Sequence, residues 1–185
     1  MSRTLILETP SAISVKQAAR YLGAHGAPDA ATAALLQRCA PPLLQAATPR
    51  AVWLLCGTDE LDTAGILQGE DIRRHLTDCP QALLLAVTLG PMADACIRRA
   101  AVGDVAAGAA TDALASALAE QTADQAEAQL RQWAAGQGLF LTGRFSPGYG
   151  DWPITVQPLL AAAVQLALCL PILLLNRAYF TVGFS

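Results

Sequence analysis

Residues 82–89, Ala-Leu-Leu-Leu-Ala-Val-Thr-Leu, decide the fold class of this chain. An uninterrupted apolar run of this length is typical of a strand that is buried on both faces. Gly90-Pro91 follows at once and predicts that the strand ends there and that a helix continues through Arg99. The apolar run Ala51–Cys56 has a similar length and predicts a second strand.

The remaining elements mix strands and helices without regular alternation. Further strands are predicted at Thr4–Glu8, Asp62–Leu67, Leu139–Thr142, Ile172–Leu175 and Tyr179–Val182. Further helices are predicted at Ser14–Leu22, Asp29–Ala47, Glu70–Thr77, Asp104–Ala135 and Pro153–Leu168. In the second of these, Pro41-Pro42 is expected to kink or split the helix. The order predicts an α+β fold over residues 1–185 as a single domain, with a mostly antiparallel twisted sheet and helices packed against it.

The amino-acid composition indicates a folded protein and argues against nucleic-acid binding and a metal site. The 185 residues are 54% hydrophobic and 15% charged, which supports a sizeable core and excludes a disordered chain. Twelve basic and fifteen acidic residues give a net charge of −3 without a basic stripe, so we expect no nucleic-acid partner. The five cysteines include no CxxC pair, which favours buried thiols in a reducing cytoplasm over a metal site.

Two apolar segments test whether the chain is a cytoplasmic protein. Met1–Glu8 has an apolar run of three residues, far short of a signal-peptide core. Leu159–Leu175 is nearly long enough to span a bilayer, but Gln165 lies in its middle and Pro171 near its end. We therefore expect a cytoplasmic location and no membrane partner.

The most irregular stretch is Arg144-Phe-Ser-Pro-Gly-Tyr-Gly-Asp-Trp-Pro153. Its two glycines and two prolines predict a tightly specified loop, and Pro153 fits the first turn of a helix whose N–H groups attract anions. Arg144 can clamp a carboxylate, and Tyr149 can stack on a flat base or a sulfonium. Asp151 can instead cap the following helix. From the residues alone, a ligand site and an ordered structural turn both stay open.

This loop resembles the signature of the activation (reactivation) domain of cobalamin-dependent methionine synthase, in which an Arg-x-x-Pro-Gly-Tyr loop holds S-adenosylmethionine. The Gly-Asp pair after the tyrosine is closer to short, stand-alone relatives of that domain. The resemblance covers most of the chain. Weaker matches are Arg20-Tyr-Leu-Gly23, Thr88-Leu-Gly90 and the helix that carries Asp112, Ser116 and Glu120.

The resemblance implies a domain that binds S-adenosylmethionine and supports reductive methylation of cobalamin, in the service of methionine biosynthesis. In the family the methyl group passes to the cobalt of cob(II)alamin while a reductase supplies one electron, so the protein mainly positions the cofactor and no catalytic side chain is implied. Cobalamin would come only through a partner in trans, a methionine synthase or another corrinoid methyltransferase. An electron donor such as flavodoxin is the second implied partner.

The resemblance also assigns a cofactor site. Arg144 would bind the methionyl carboxylate, Tyr149 would contact the ligand beside it, and a carboxylate would lie near the sulfonium. The residues implied in cofactor binding are Arg144, Ser146, Pro147, Gly148, Tyr149, Gly150, Asp151 and Glu120. Asp112, Ser116 and Glu120 share one helix face by their spacing, and a solvated polar stripe is the favoured alternative for that face.

The end of the chain leaves other hypotheses open. Asn176–Ser185 contains no lysine, whereas short relatives of the family carry a Pro-x-Lys-Ser-Val-like segment there. A non-catalytic interaction subunit that docks on a corrinoid protein without using S-adenosylmethionine is therefore the alternative function. A small-molecule methyltransferase is a third, weaker hypothesis.

Overall fold

The computed structural model describes residues 3–166. The predicted strands Ile172–Leu175 and Tyr179–Val182 lie outside this range. The described elements are, in chain order, β1 (Arg3–Ile6), α1 (Val15–Tyr21), α2 (Ala30–Ala46), β2 (Arg50–Gly57), α3 (Thr58–Thr63), α4 (Glu70–His75), β3 (Gln81–Thr88), α5 (Pro91–Gly103), α6 (Val105–Gly136) and α7 (Gln157–Leu166). A single 3-10 turn over Ile154–Val156 leads into α7.

The three strands form one sheet in the order β1-β2-β3. Hydrogen bonds at its two ends, from Thr48 N to Leu89 O (2.8 Å) and from Thr58 N to Pro80 O (3.1 Å), show that β2 and β3 run antiparallel. Residues 82–87 of β3 are all buried, as the apolar run predicts. An antiparallel sheet combined with seven described helices confirms the α+β prediction.

The chain divides into two compact units. Within residues 3–166, the first comprises residues 3–5, 51–87 and 125–166, and the second comprises residues 6–50 and 88–124. The first unit has a core in which residues around α4 meet the inner face of β3 and the segment 152–164. Its members include Ile66, Leu67, Ile72, Leu76, Leu84, Trp152, Val156 and Leu160.

The second unit is helical, with α1 against α2 and α2 against α5. Local capping fixes the helix starts: the Ser14 hydroxyl accepts from Gln17 N (3.2 Å), and Asp29 accepts from Thr32 N (2.8 Å). Gly23, with φ of 88°, follows the end of α1 as predicted. Helix α2 continues through Pro41-Pro42, so it is not split.

Two predicted strands are wrong. Asp62–Leu67 does not return along the sheet, because Thr58–Thr63 forms α3 and Gly65, with φ of 69°, turns the chain after it. Asp59 and Glu60 in the first turn of α3 favour a helix through its dipole. In Leu139–Thr142 only Leu141 makes a bridge, and Arg131 binds the carbonyl oxygens that a strand would use for pairing.

The helix predicted from Pro153 begins differently. Pro153 precedes the helical turn with ψ of 142°, and the first turn is 3-10 rather than α. Pro158 has no N–H to donate to the Ile154 carbonyl, which instead accepts from Gln157 N. Among residues 3–166, no helix combines the length and the apolar composition needed to cross a membrane.

Candidate functional site

The 144–153 loop is a closed, hydrogen-bonded turn. Tyr149 N donates to Ser146 O (3.1 Å), Trp152 N donates to Tyr149 O (3.1 Å), and Gly148 N donates to Trp152 O (2.8 Å). Gly148 and Gly150 have φ of 98° and 54°, which L side chains rarely adopt. The two glycines therefore permit the tight path that the composition of the loop predicts.

The loop is anchored in the core of the first unit by Trp152. The indole is only 1% exposed, and its Nε1 donates to Ile66 O over 2.9 Å. The Phe145 ring lies 5.9 Å from the Trp152 ring and 5.2 Å from the His75 ring, between centroids. This aromatic row holds both ends of the loop against the core.

Asp151 caps a helix, but not the one that follows it in sequence. Its two carboxylate oxygens accept from Glu70 N (2.7 Å) and Asp71 N (3.0 Å), at the start of α4. Asp71 accepts in return from Asp151 N (3.2 Å). The backbone N–H of Asp71, and then that of Glu70, lower the pKa of Asp151. The carboxylate is thus ionised and occupied with fixing the loop.

Two glycines make this reciprocal cap possible. A β-carbon on Gly69 would lie 2.6 Å from Asp151 Oδ1, and one on Gly150 would overlap Asp71 Oδ2. Gly69 also supplies no side-chain cap of its own for α4. The exposed N–H groups of that helix are therefore satisfied by a residue 80 positions further along the chain.

Arg144 at the entrance of the loop is held by a carboxylate on α6. Its Nε lies 3.2 Å from Glu127 Oε2. Glu127 Oε1 accepts in turn from Arg131 Nε (2.8 Å) and Nη2 (2.5 Å). Arg131 also donates to the carbonyl oxygens of Leu141 (2.7 Å) and Thr142 (2.9 Å), and His75 Nε2 contacts Gly143 O at 2.9 Å. The backbone immediately before Arg144 is consequently fixed at three successive carbonyls.

The other predicted site residues differ in exposure. Tyr149 is 66% exposed, Ser146 is half-buried, and Pro147 is buried. Residues 144–151 all belong to the first unit, whereas Glu120 lies in the second unit, where it is half-buried on α6. On the same helix Asp112 is exposed and Ser116 is half-buried.

Sequence reasoning missed the residues that support the loop. The pair Glu127 and Arg131 has the i,i+4 spacing of a helix-surface ion pair, so that contact could have been read from the sequence. The further contacts of this pair with Leu141, Thr142 and Arg144 could not have been predicted from the sequence, because they depend on the path of the chain after α6.

Compared with known proteins, the chain matches no family model, and no curated protein sequence matches it significantly. Its function therefore has to be inferred from the geometry of the loop and from the resemblance of its motif. Chemically, the loop combines a guanidinium in contact with a carboxylate and an exposed phenol. Such a set suits a small ligand that carries a carboxylate and a flat ring.

Proposed function

We propose that this protein binds S-adenosylmethionine at the 144–153 loop and acts as a reactivation domain for a cobalamin-dependent methyltransferase. The observation that carries the proposal is the fixed Arg144 guanidinium at the base of a rigid turn that presents Tyr149 to solvent. A preorganised site loses little conformational entropy on binding, which favours affinity for a small ligand.

Each contact in the proposed complex has a physical reason. Glu127 engages Nε of Arg144, and the methionyl carboxylate would pair with the same guanidinium. Tyr149 would stack on the adenine or lie against the sulfonium. Asp151 would contribute by holding the loop, since both its oxygens accept N–H groups of α4.

The chemistry itself would take place on a partner. S-adenosylmethionine would supply the methyl group to the cob(II)alamin of a corrinoid protein in trans and would leave as S-adenosylhomocysteine once its S–CH₃ bond breaks, and a donor such as flavodoxin would supply the one electron that this transfer requires. The chain's own residues would orient the ligand, and positioning alone can supply a large part of a rate enhancement. This proposal uses residues of the first unit only.

Calorimetric titration with S-adenosylmethionine tests the binding half of the proposal. We expect saturable binding by the wild type, and a loss of about 1.5–3 kcal/mol in Arg144→Ala, which is roughly a 10- to 150-fold weaker Kd. Arg73→Ala is the matched control, because Arg73 pairs with Asp62 (2.6 Å) and not with a residue of the loop, so its replacement should leave the Kd unchanged. Absence of binding at millimolar ligand, with a native circular dichroism spectrum, would refute the proposal.

The alternative, a non-catalytic subunit that docks on a corrinoid protein, is favoured by one observation. Tyr149 and Ile154 are 66% and 55% exposed, and Ile154 Cδ1 lies over Gly148, 3.5 Å from where a β-carbon would stand. Exposed apolar groups on a rigid turn suit a protein contact. Capture of a purified corrinoid methyltransferase that is unaffected by S-adenosylmethionine and lost in Tyr149→Ser would favour this function over cofactor binding.

A further inference from the structure

We infer that Glu127 and Arg131 are positioning residues for Arg144. Arg131 fixes Glu127, and Glu127 fixes the direction of the guanidinium that would meet the ligand carboxylate. The inference deepens the proposed function and rests on it for the identity of the ligand. The contacts between the three side chains stand on the structure alone.

Arg131 is the anchor of the group. It uses Nη1 and Nη2 to bind the carbonyls of Leu141 and Thr142, and it uses Nε and Nη2 to bind Glu127 Oε1. One side chain thus ties α6 to the backbone that leads into the loop. The five N–H donors of a guanidinium allow this division, whereas the three donors of a lysine ammonium share one nitrogen and cannot span the same atoms.

Glu127 divides its two oxygens between the two arginines. Oε1 faces Arg131, and Oε2 lies 3.2 Å from Arg144 Nε. The Glu127 side chain is 20% exposed, less than either partner, so its contacts are only partly screened by water. A carboxylate held on one oxygen has a fixed direction at the other, and this direction sets the plane of the Arg144 guanidinium.

The charges of the three side chains give this arrangement a second consequence. The three side chains contribute two positive charges and one negative charge, a sum of +1 among themselves. Without Arg131, Glu127 would neutralise Arg144 and the sum would fall to zero. Without the charge of Glu127 the sum would rise to +2, but the guanidinium would lose its fixed direction. Substitutions of Glu127 and Arg131 therefore distinguish the effect of the cluster's charge on ligand binding from the effect of the orientation of the Arg144 guanidinium.

The experiment observes Arg144 directly. Arginine Nε–H signals are recorded in ¹H–¹⁵N spectra of the full-length protein, and Arg144→Lys identifies the Arg144 signal. We expect Glu127→Gln and Arg131→Gln each to shift that signal and to speed its exchange with water. Arg131→Lys should preserve the charge and give a smaller change. Arg73→Gln is the control and should leave the Arg144 signal in place.

Titration of the same variants with S-adenosylmethionine completes the test. Arg131→Gln should weaken binding roughly five- to tenfold, Arg131→Lys should restore part of that loss, and Glu127→Gln should weaken binding and make it more dependent on salt. An Arg144 signal that is unchanged in both Glu127→Gln and Arg131→Gln would overturn the inference. A responsive signal in a wild-type protein that does not bind S-adenosylmethionine would refute the proposed function while supporting the positioning of Arg144.

Discussion

Replacing Trp152 by phenylalanine should destabilise the protein more than the same replacement at Trp53. Both indoles are buried, at 1% and 3% exposure, so each loses a similar apolar area, worth about 1 kcal/mol. Trp152 Nε1 donates to Ile66 O, whereas Trp53 Nε1 is buried without a hydrogen-bond partner among residues 3–166. The two positions differ in this hydrogen bond and in the Arg3 guanidinium, which lies 5.6 Å from the Trp53 ring centroid and can also contact a phenylalanine ring.

The expected loss of unfolding free energy in each variant depends on whether the indole N–H has a hydrogen-bond partner. Ile66 O also accepts from Gln68 N (2.9 Å), so Trp152→Phe leaves this carbonyl with a partner and removes only the net value of one hydrogen bond, about 0.5–1.5 kcal/mol. The total loss is then about 1.5–2.5 kcal/mol. In Trp53→Phe, the loss of buried apolar area destabilises the fold, but removal of an unpaired buried N–H relieves a desolvation cost of similar size. The change in unfolding free energy should therefore be near zero. Contact with the Trp133 ring, 4.5 Å away between centroids, can be retained by phenylalanine.

Urea unfolding followed by far-ultraviolet circular dichroism measures both changes without depending on tryptophan emission. Trp152→Phe should also lower Tm by roughly 3–10 °C in a protein of this size. Equal losses of unfolding free energy in the two variants, with unchanged m-values, would show that the Trp152 hydrogen bond does not anchor the loop.

Three further predictions concern the loop and a buried thiol. The backbone N–H groups of Asp71 and of the residue before it lower the pKa of Asp151 in the folded state. The ionised Asp151 carboxylate therefore stabilises the fold fully above the ordinary carboxyl pKa, and this stabilisation is lost as the pH falls through the lowered pKa. The stability difference between wild type and Asp151→Asn, measured by urea unfolding, should thus narrow below about pH 4. Gly150→Ala should lower Tm more than Gly148→Ala, since both require a positive φ but only the former places a β-carbon on the Asp71 carboxylate; equal shifts would argue against the close approach. Burial raises the pKa of Cys56 to about 12, so iodoacetamide at pH 8 should modify it slowly in the native protein and rapidly in urea, as followed by peptide mass spectrometry.

Sequence patterns located much of the fold and the centre of the candidate site. The apolar run at residues 82–89, the helix starts near Ser14 and Asp29, and the long helix that became α6 were all predicted, because each signal lies within a few residues of the element that it specifies. The 144–153 loop was also recognisable from its own glycines and prolines. Local signals misled at Asp62–Leu67, where the preference of the preceding acidic turn for a helix prevailed.

The sequence by itself determined where β2, β3, most of the helices and the stiff loop lie, since these depend on residues that are neighbours along the chain. Only the tertiary structure decided what holds the loop. The sequence predicts Asp151 as a cap for the helix after it. However, the N-cap residue of α4 is Gly69, which has no side chain to cap the helix, so the N–H groups of α4 bind the Asp151 carboxylate from 80 residues away. Likewise, Arg144 receives its orientation from Glu127 and Arg131 on another element. Unsatisfied backbone donors and charged groups bind the partners that core packing brings close to them. The separation of two residues along the sequence does not give their distance in the folded protein.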